Sequence, residues 1–371
     1  MGARIERVEL RRIALPLVAP FRTASVDLTE REVLLVRVWA DGVEGWGECG
    51  ALPDPGYTSE YVDGAHAILR DHLVPLAIAA DGVDSVSLGS VLTPVHGHSM
   101  AKAALELAVL DAELRAAGVS LADRLGGTRD RVECGVSVGR FPVAELLDQV
   151  AGYVADGYRR VKLKILPGDD AEPVAAVRSE FPDLRLWADA NGSYSLDDLD
   201  SLRALDAFTL ELLEQPLPDD DLLGNAEVAR AITAAVCLDE SITTSSTLAL
   251  AVTLRACSIV NIKAARVGGV LAARQLAREC LDAGLPVWCG GMLETGIGRA
   301  ANLALASLPG FTLPGDLSAS DRYYARDVIT EPFTLAPDGT MAVPAGPGLG
   351  IEIDTDFLDA VTHHREVLEP T

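Results

Sequence analysis

The chain is predicted to be an α/β protein, a parallel barrel of alternating strands and helices with an α+β region before it, and two features predict this. From about residue 131 to residue 315 a short β-branched or apolar run ends in polar residues and leads into a helical stretch, and the theme repeats. Charged residues also recur at the ends of successive runs at nearly constant spacing. The runs are Val132 to Val138, Arg160 to Ile165, Leu184 to Ala188, Phe208 to Leu213, Ala235 to Leu238, Ser258 to Ile262, Leu285 to Trp288 and Phe311 to Leu313. Between them, stretches such as Val143 to Ala155, Ser195 to Leu205 and Leu271 to Ala283 carry apolar residues at three- and four-residue spacing, the mark of an amphipathic helix. A leucine-rich solenoid would share the period, but its L-x-x-L-x-L-x-x-N signature is missing.

The flanks read differently. Residues 1–125 open with two or three strands, with an Asp41-Gly42 hairpin turn, and continue into Ala- and Leu-rich helices such as Ser99 to Ala117. The tail 318–371 is rich in Pro and Gly, and it is expected to pack on this N-terminal unit, leaving 126–317 as the barrel.

Composition excludes several functions. With 371 residues, 49% of them hydrophobic, the chain can bury a full core. A net charge of −24 repels phosphate backbones, so nucleic acid is not an expected partner. No run approaches a membrane span, and the six cysteines have no C-x-x-C pairing; a cytoplasmic protein with reduced thiols is expected. No histidine lies between His98 and His363, which argues against a Ser-His-Asp triad, an H-E-x-x-H zinc site or a histidine base in the barrel.

The run ends carry Lys162 and Lys164 in V-K-L-K-I, Asp189 in W-A-D-A-N, Glu214 in L-L-E-Q-P, Asp239 in L-D-E-S and Lys263 in V-N-I-K. From Lys164 to Lys263 the steps are 25, 25, 25 and 24 residues, which puts one side chain per strand-helix unit at the C-terminal mouth of the barrel. Three carboxylates without His or Cys suit a hard cation, Mg²⁺, with Mn²⁺ or another divalent ion as substitutes. Bound to it, a small-molecule carboxylate would have its α-proton acidified, and Lys164 and Lys263 on opposite sides could address both faces of that carbon. Lys162, two residues along the same strand face, would help keep Lys164 available as a base. An EF-hand reading of Asp189 to Asp200 fails because Gly192 stands at loop position 4 and Asp200 at position 12. Glu240 is expected to support Asp239, whereas Glu211 and Asp316 are as readily solvated as functional.

These segments resemble the enolase superfamily, specifically its muconate-lactonising subgroup. The stretches Cys134 to Gly139, Trp288 to Asn302 and Leu313 to Tyr324, with Pro16 to Thr23 and Gly346 to Gly350 at the ends, are similar to the o-succinylbenzoate synthase and N-acylamino acid racemase family. The resemblance implies a (β/α)₇β TIM-like barrel under an α+β capping domain, with Mg²⁺ on Asp189, Glu214 and Asp239. It implies Lys164 and Lys263 as the acid/base pair, and Asn191 among the supporting residues. Ser137, Gly291 and Met292 would hold the ligand, and Phe21 would close over it. Homo-oligomers are common among such barrels. Two departures bear on specificity: Ala24 to Asp27 stand where an aromatic and a glycine are expected, and Ala264-Ala265 follow V-N-I-K in place of Pro-Gly.

The expected activity is a Mg²⁺-dependent syn dehydration yielding 2-succinylbenzoate for menaquinone synthesis, accompanied by N-acylamino acid racemisation. A dedicated N-acylamino or N-succinylamino acid racemase is the alternative. A dipeptide epimerase is a weaker fit, because that resemblance calls for Asp-x-Asp after the eighth strand and this chain has Asp316 and Asp321. A carboxylate-binding protein without turnover is the non-enzymatic alternative.

Overall fold

In the computed structural model, which describes residues 2–22 and 27–370, the chain opens with three antiparallel strands, β1 (Ile5–Arg22), β2 (Asp27–Ala40) and β3 (Val43–Cys49). The departure at Ala24 to Val26 lies outside the described residues. Asp41 (φ 48°) and Gly42 (φ 78°) make the β2–β3 turn in the left-handed region, as a two-residue hairpin requires. β2 is buried on both faces: Leu34, Val36 and Val38 pack into the cap's own core, while Val33 and Leu35 join the core that continues into the barrel. Burial of each such side chain contributes about 1.5–3 kcal/mol, so alternation alone fixes which face meets which core.

The barrel sheet is parallel, with β5 (Val136–Val138), β6 (Arg160–Lys164), β7 (Arg185–Asp189), β8 (Leu212–Glu214), β9 (Ala235–Leu238), β10 (Ile259–Ile262) and β11 (Val287–Cys289) as neighbours in chain order. Period-two alternation sorts its side chains. Val161, Leu163, Leu186, Ala188, Val236 and Val260 face the surrounding helices, whereas Trp187, Leu212, Cys237, Ile259 and Trp288 form a separate interior layer. The Arg160 guanidinium lies 4.2 Å from the centre of the Trp187 ring, which fills that interior with a cation against an aromatic face.

Two of the predicted strands differ from expectation in their pairing, and a third, the run Phe208 to Leu213, begins on the 3-10 turn Leu205–Phe208 and becomes strand only at Leu212. The run Val132 to Val138 divides: β4 (Arg131–Glu133) pairs antiparallel with β12 (Thr340–Ala342), and only Val136 onward pairs with β6. The eighth run, Phe311 to Leu313, forms a single bridge from Phe311 to Val287 and no regular strand. Pro314, with no N–H to give, interrupts a ladder there. Closure comes one step later, where Gly135 N donates to Gly315 O (2.7 Å) and Asp316 N donates to Cys289 O (2.9 Å).

The tail returns to the first sheet, where β13 (Thr362–Leu368) pairs antiparallel with β1 from Val8↔Leu368 to Arg12↔His364. Two buried carboxylates also tie the cap to barrel helices. Glu48 on β3 accepts from Thr295 N (3.0 Å) and Gly298 N (2.8 Å) at the start of helix Gly296–Ala306. Glu106, on helix Ser99–Ala117, accepts from Val270 N (2.8 Å) and Leu271 N (3.3 Å) at the start of helix Val270–Asp282. Gly269 (φ 138°) permits the second contact, because a Cβ there would fall 1.9 Å from the Glu106 carboxylate. Among the described residues, no helix is long and apolar enough to cross a membrane.

Candidate active site

Strand register sets the mouth of the barrel. Lys164 pairs with Asp189 and Asp189 with Glu214 across β6, β7 and β8, so the three side chains stand in one row at the strand ends. Asp239 and Lys263 follow the last residues of β9 and β10. The row Asp189, Glu214, Asp239 therefore lies between the two lysines, which both line one cleft with Ser137, Asn191, Gly291, Met292 and Phe21. All twelve residues expected in the site are thus accounted for at this end of the barrel, with Lys162 on the wall of the same cleft and Glu240 behind Asn191.

Lys164 Nζ donates to Asp189 Oδ2 (2.6 Å) and Asn191 Oδ1 (2.8 Å). Asn191 Nδ2 donates in turn to Glu240 Oε1 (2.9 Å), and its own N–H donates to Asp189 Oδ1 (3.0 Å). On the other side, Lys263 Nζ donates to Asp239 Oδ2 (2.8 Å) and to Tyr57 Oη (2.7 Å). Lys162, 2% exposed, sits deeper, with Glu214 at 2.6 Å, Asp316 at 2.7 Å and Asp189 at 3.2 Å. Burial alone would depress the Lys162 ammonium, but Asp316, Glu214 and Asp189 together hold it well above the usual lysine range. Lys162 is a charged spacer within the acidic row.

The carboxylates respond unequally to the same burial. Glu214 is pushed well above its ordinary value by desolvation and by repulsion from Asp189. Asp239 is driven below its ordinary value: burial opposes this, but Arg266 and Lys263 outweigh it. Glu240 is raised by burial and by Asp239 beside it. Five carboxylates (Asp189, Glu214, Asp239, Glu240 and Asp316) meet five cations (Arg160, Lys162, Lys164, Lys263 and Arg266), which makes so dense a buried cluster tolerable.

The donor set fits a hard divalent cation: three buried carboxylates on adjacent strand ends, with the buried Oδ1 of Asn261 and Oε2 of Glu240 left without hydrogen-bond partners nearby. The oxygens of the three do not converge within 4.8 Å of one another in this structure, because each carboxylate is drawn to an ammonium or guanidinium group. Ser137 Oγ is likewise buried, unpartnered and on the cleft wall, an open position for a ligand atom. Phe21 is fixed edge-on to Tyr323, ring centres 6.2 Å apart, at the cap side of that cleft.

Several residues of the site were not singled out from sequence. Asn261 donates from Nδ2 to Glu214 Oε1 (2.8 Å), and its place two residues before Lys263, on the same strand face, was a usable signal. Gly290 is what lets both in, since a Cβ there would come 2.3 Å from Asn261 Oδ1 and 2.6 Å from Lys263 Cε. Gln215 (φ 36°) holds the Asp239 and Ser241 amides through its Oε1 (3.0 and 3.2 Å), which explains a glutamine directly after Glu214. Asp316 joins the site through Arg160 and Lys162, while Glu211 lies at the opposite end on Arg185 and Trp187. Ala264-Ala265 open a short helix, Ala264–Val267, that brings Arg266 onto Asp239 and Tyr57. Tyr57 itself comes from the cap, and no local pattern links it to Asp239.

Fold and site together define a capped α/β barrel with an acidic mouth flanked by lysines. Residues 7–126 match the Mandelate racemase / muconate lactonizing enzyme N-terminal domain, residues 145–357 match the Enolase C-terminal domain-like family, and the chain belongs to the enolase superfamily. It is 54% identical to an N-succinylamino acid racemase from Amycolatopsis over 97% of this chain and 98% of that protein. It is 42% identical to the o-succinylbenzoate synthase of Bacillus subtilis over 95% of each. An enolase-superfamily member from Listeria innocua, solved by crystallography, superposes with a TM-score of 0.94 at 38% identity, covering 99% of this chain and 100% of that one.

Proposed function

We propose that this chain is a Mg²⁺-dependent o-succinylbenzoate synthase, acting in menaquinone synthesis, that also racemises N-succinylamino acids at the same site. The observation that carries the proposal is the placement of Lys164 and Lys263 on either side of one carboxylate row, in one cleft. Asp189, Glu214 and Asp239 are the residues to hold Mg²⁺, which when bound would stabilise the negative charge that develops on a substrate carboxylate as its α-proton leaves.

Lys164 removes that proton. In the dehydration it then returns a proton to the departing hydroxyl on the same face, and Lys263 stays charged and steadies the anion. In racemisation the two lysines exchange roles across the α-carbon, one taking the proton and the other delivering one to the opposite face. Asn191 and Glu240 orient Lys164, Tyr57 orients Lys263, and Ser137, Gly291, Met292 and Phe21 enclose the rest of the substrate. The six cysteines are all free and buried, which suits a reducing compartment, and we place the chain in the cytoplasm. We also propose that it assembles as a homo-oligomer, which sedimentation of the purified chain tests.

A dedicated racemase is the second reading, favoured by the 54% identity to a racemase against 42% to a synthase. The purified chain with Mg²⁺ is assayed for 2-succinylbenzoate formation from its hydrated precursor and for racemisation of N-succinylamino acids, comparing kcat/KM. Synthase activity supports the first reading, and racemisation alone the second. If neither product forms and no α-proton exchanges with deuterated solvent, both are wrong.

A further inference from the structure

The first helix of the cap, Val62–Ile68, and the last strand, β13, bring together three side chains that the barrel chemistry does not use. His364 and Glu366 are two residues apart on β13 and so project to the same side, facing the helix that carries His66. One ligand atom from each of the three lies within 4.8 Å of the other two. The imidazoles of His66 and His364 meet edge to face with centres 5.1 Å apart, and His66 Nε2 is 3.5 Å from Glu366 Oε2.

His66 is the informative member. Its side chain is 8% exposed, and Nε2 is buried and makes no hydrogen bond with any described residue, the 3.5 Å approach to Glu366 being longer than an ordinary N–H···O bond. A buried imidazole nitrogen in that state carries an uncompensated desolvation cost unless a ligand or hydrogen-bond partner satisfies it. Burial, with His364 adding to it, lowers the His66 imidazole below its ordinary value, so its neutral, ligating form dominates at neutral pH.

We propose that His66, His364 and Glu366 bind a transition-metal dication of the Zn²⁺ class, separate from the Mg²⁺ site of the barrel mouth. Two imidazoles and a carboxylate with one position open to water is a tetrahedral donor set that selects Zn²⁺, Co²⁺ or Ni²⁺ over Mg²⁺. Ligand atoms around Zn²⁺ stand roughly 3.3 Å apart, given bonds of about 2.0–2.1 Å. The exposed His364 imidazole would turn to bring its ligand atom to that spacing. The guanidinium groups nearby are already paired. Arg12 is held by Glu32 (2.6 Å) and Asp63 (2.7 Å), and Arg70 by Asp71 (2.7 Å), so they oppose a dication only weakly.

Such an ion would fasten the tail to the helix that follows cap loop Ala51 to Tyr57, the loop whose Tyr57 reaches Asp239. It would join His66 in the cap to His364 in the tail, next to the segment that carries Tyr57.

The test is a Zn²⁺ titration of the full chain held in excess Mg²⁺, followed by calorimetry and by thermal unfolding. The expected result is one Zn²⁺ per chain and a higher Tm, both insensitive to Asp189→Asn. His364→Ala, at an exposed position that leaves the fold intact, should weaken Zn²⁺ at least ~10-fold and remove the Tm gain, with Glu366→Gln doing the same in part. Co²⁺ in place of Zn²⁺ should give visible absorption bands that His364→Ala abolishes. No Zn²⁺ uptake in the presence of Mg²⁺, or uptake that both variants leave unchanged, overturns the proposal.

Discussion

The contact between Glu106 and the start of helix Val270–Asp282 makes a pH-dependent prediction whose size follows from the structure. Desolvation raises the Glu106 carboxyl from 4.5 to about 7, the two backbone N–H bonds opposing it only in part. The folded state therefore keeps a proton that the unfolded state releases on going from pH 4.5 to about pH 7. Stability from this site is fully present below pH 4.5 and is lost as the pH rises to about 7. At about 1.4 kcal/mol per pH unit, the loss is roughly 3 kcal/mol. Glu106→Gln keeps an acceptor oxygen for Val270 N, gives up the longer bond from Leu271 N at every pH alike, and cannot ionise, so relative to the parent it should gain about 3 kcal/mol between pH 4.5 and pH 8. Urea unfolding of both proteins across that range measures the difference. Glu48, also raised to about 7, is present in both and cancels. A stability difference that stays constant with pH would refute the reasoning, since it would mean that Glu106 ionises alike in the folded and unfolded chain.

Two substitutions test the mouth of the barrel. Asp189→Asn should leave the far-ultraviolet circular dichroism unchanged while weakening Mg²⁺ binding and lowering kcat by more than about 100-fold, because one ligand charge is lost and the strand register is not; a fully active variant contradicts the ligand role. Lys263→Ala should cut racemisation by about 10²–10⁴-fold, as expected for loss of a general acid/base, while solvent exchange persists for the enantiomer whose proton faces Lys164. Racemisation at the parent rate would rule out a two-faced site.

Sequence alone determined the features that repeat with the strand-helix unit. A strand turns its residues alternately in and out, so V-K-L-K-I already implied that Lys162 and Lys164 share the interior face, and the even spacing from Lys164 to Lys263 already implied one row at one end of the sheet. The same logic would have admitted Asn261 and Arg160, which stand two residues before Lys263 and Lys162. The two strands whose pairing differs have local causes as well: one run serves two sheets, and Pro314 breaks another.

Tertiary structure alone decided what crosses between units. Tyr57 on Asp239, Asp316 on Lys162, Glu106 on a barrel helix and His66 beside His364 each join residues far apart in the chain. Alternation, turn chemistry and helix period act over a few residues and leave a trace in any short window of sequence. The distance between two distant side chains is instead the sum of many packing contacts, each too weak and too interchangeable to mark the residues that it brings together.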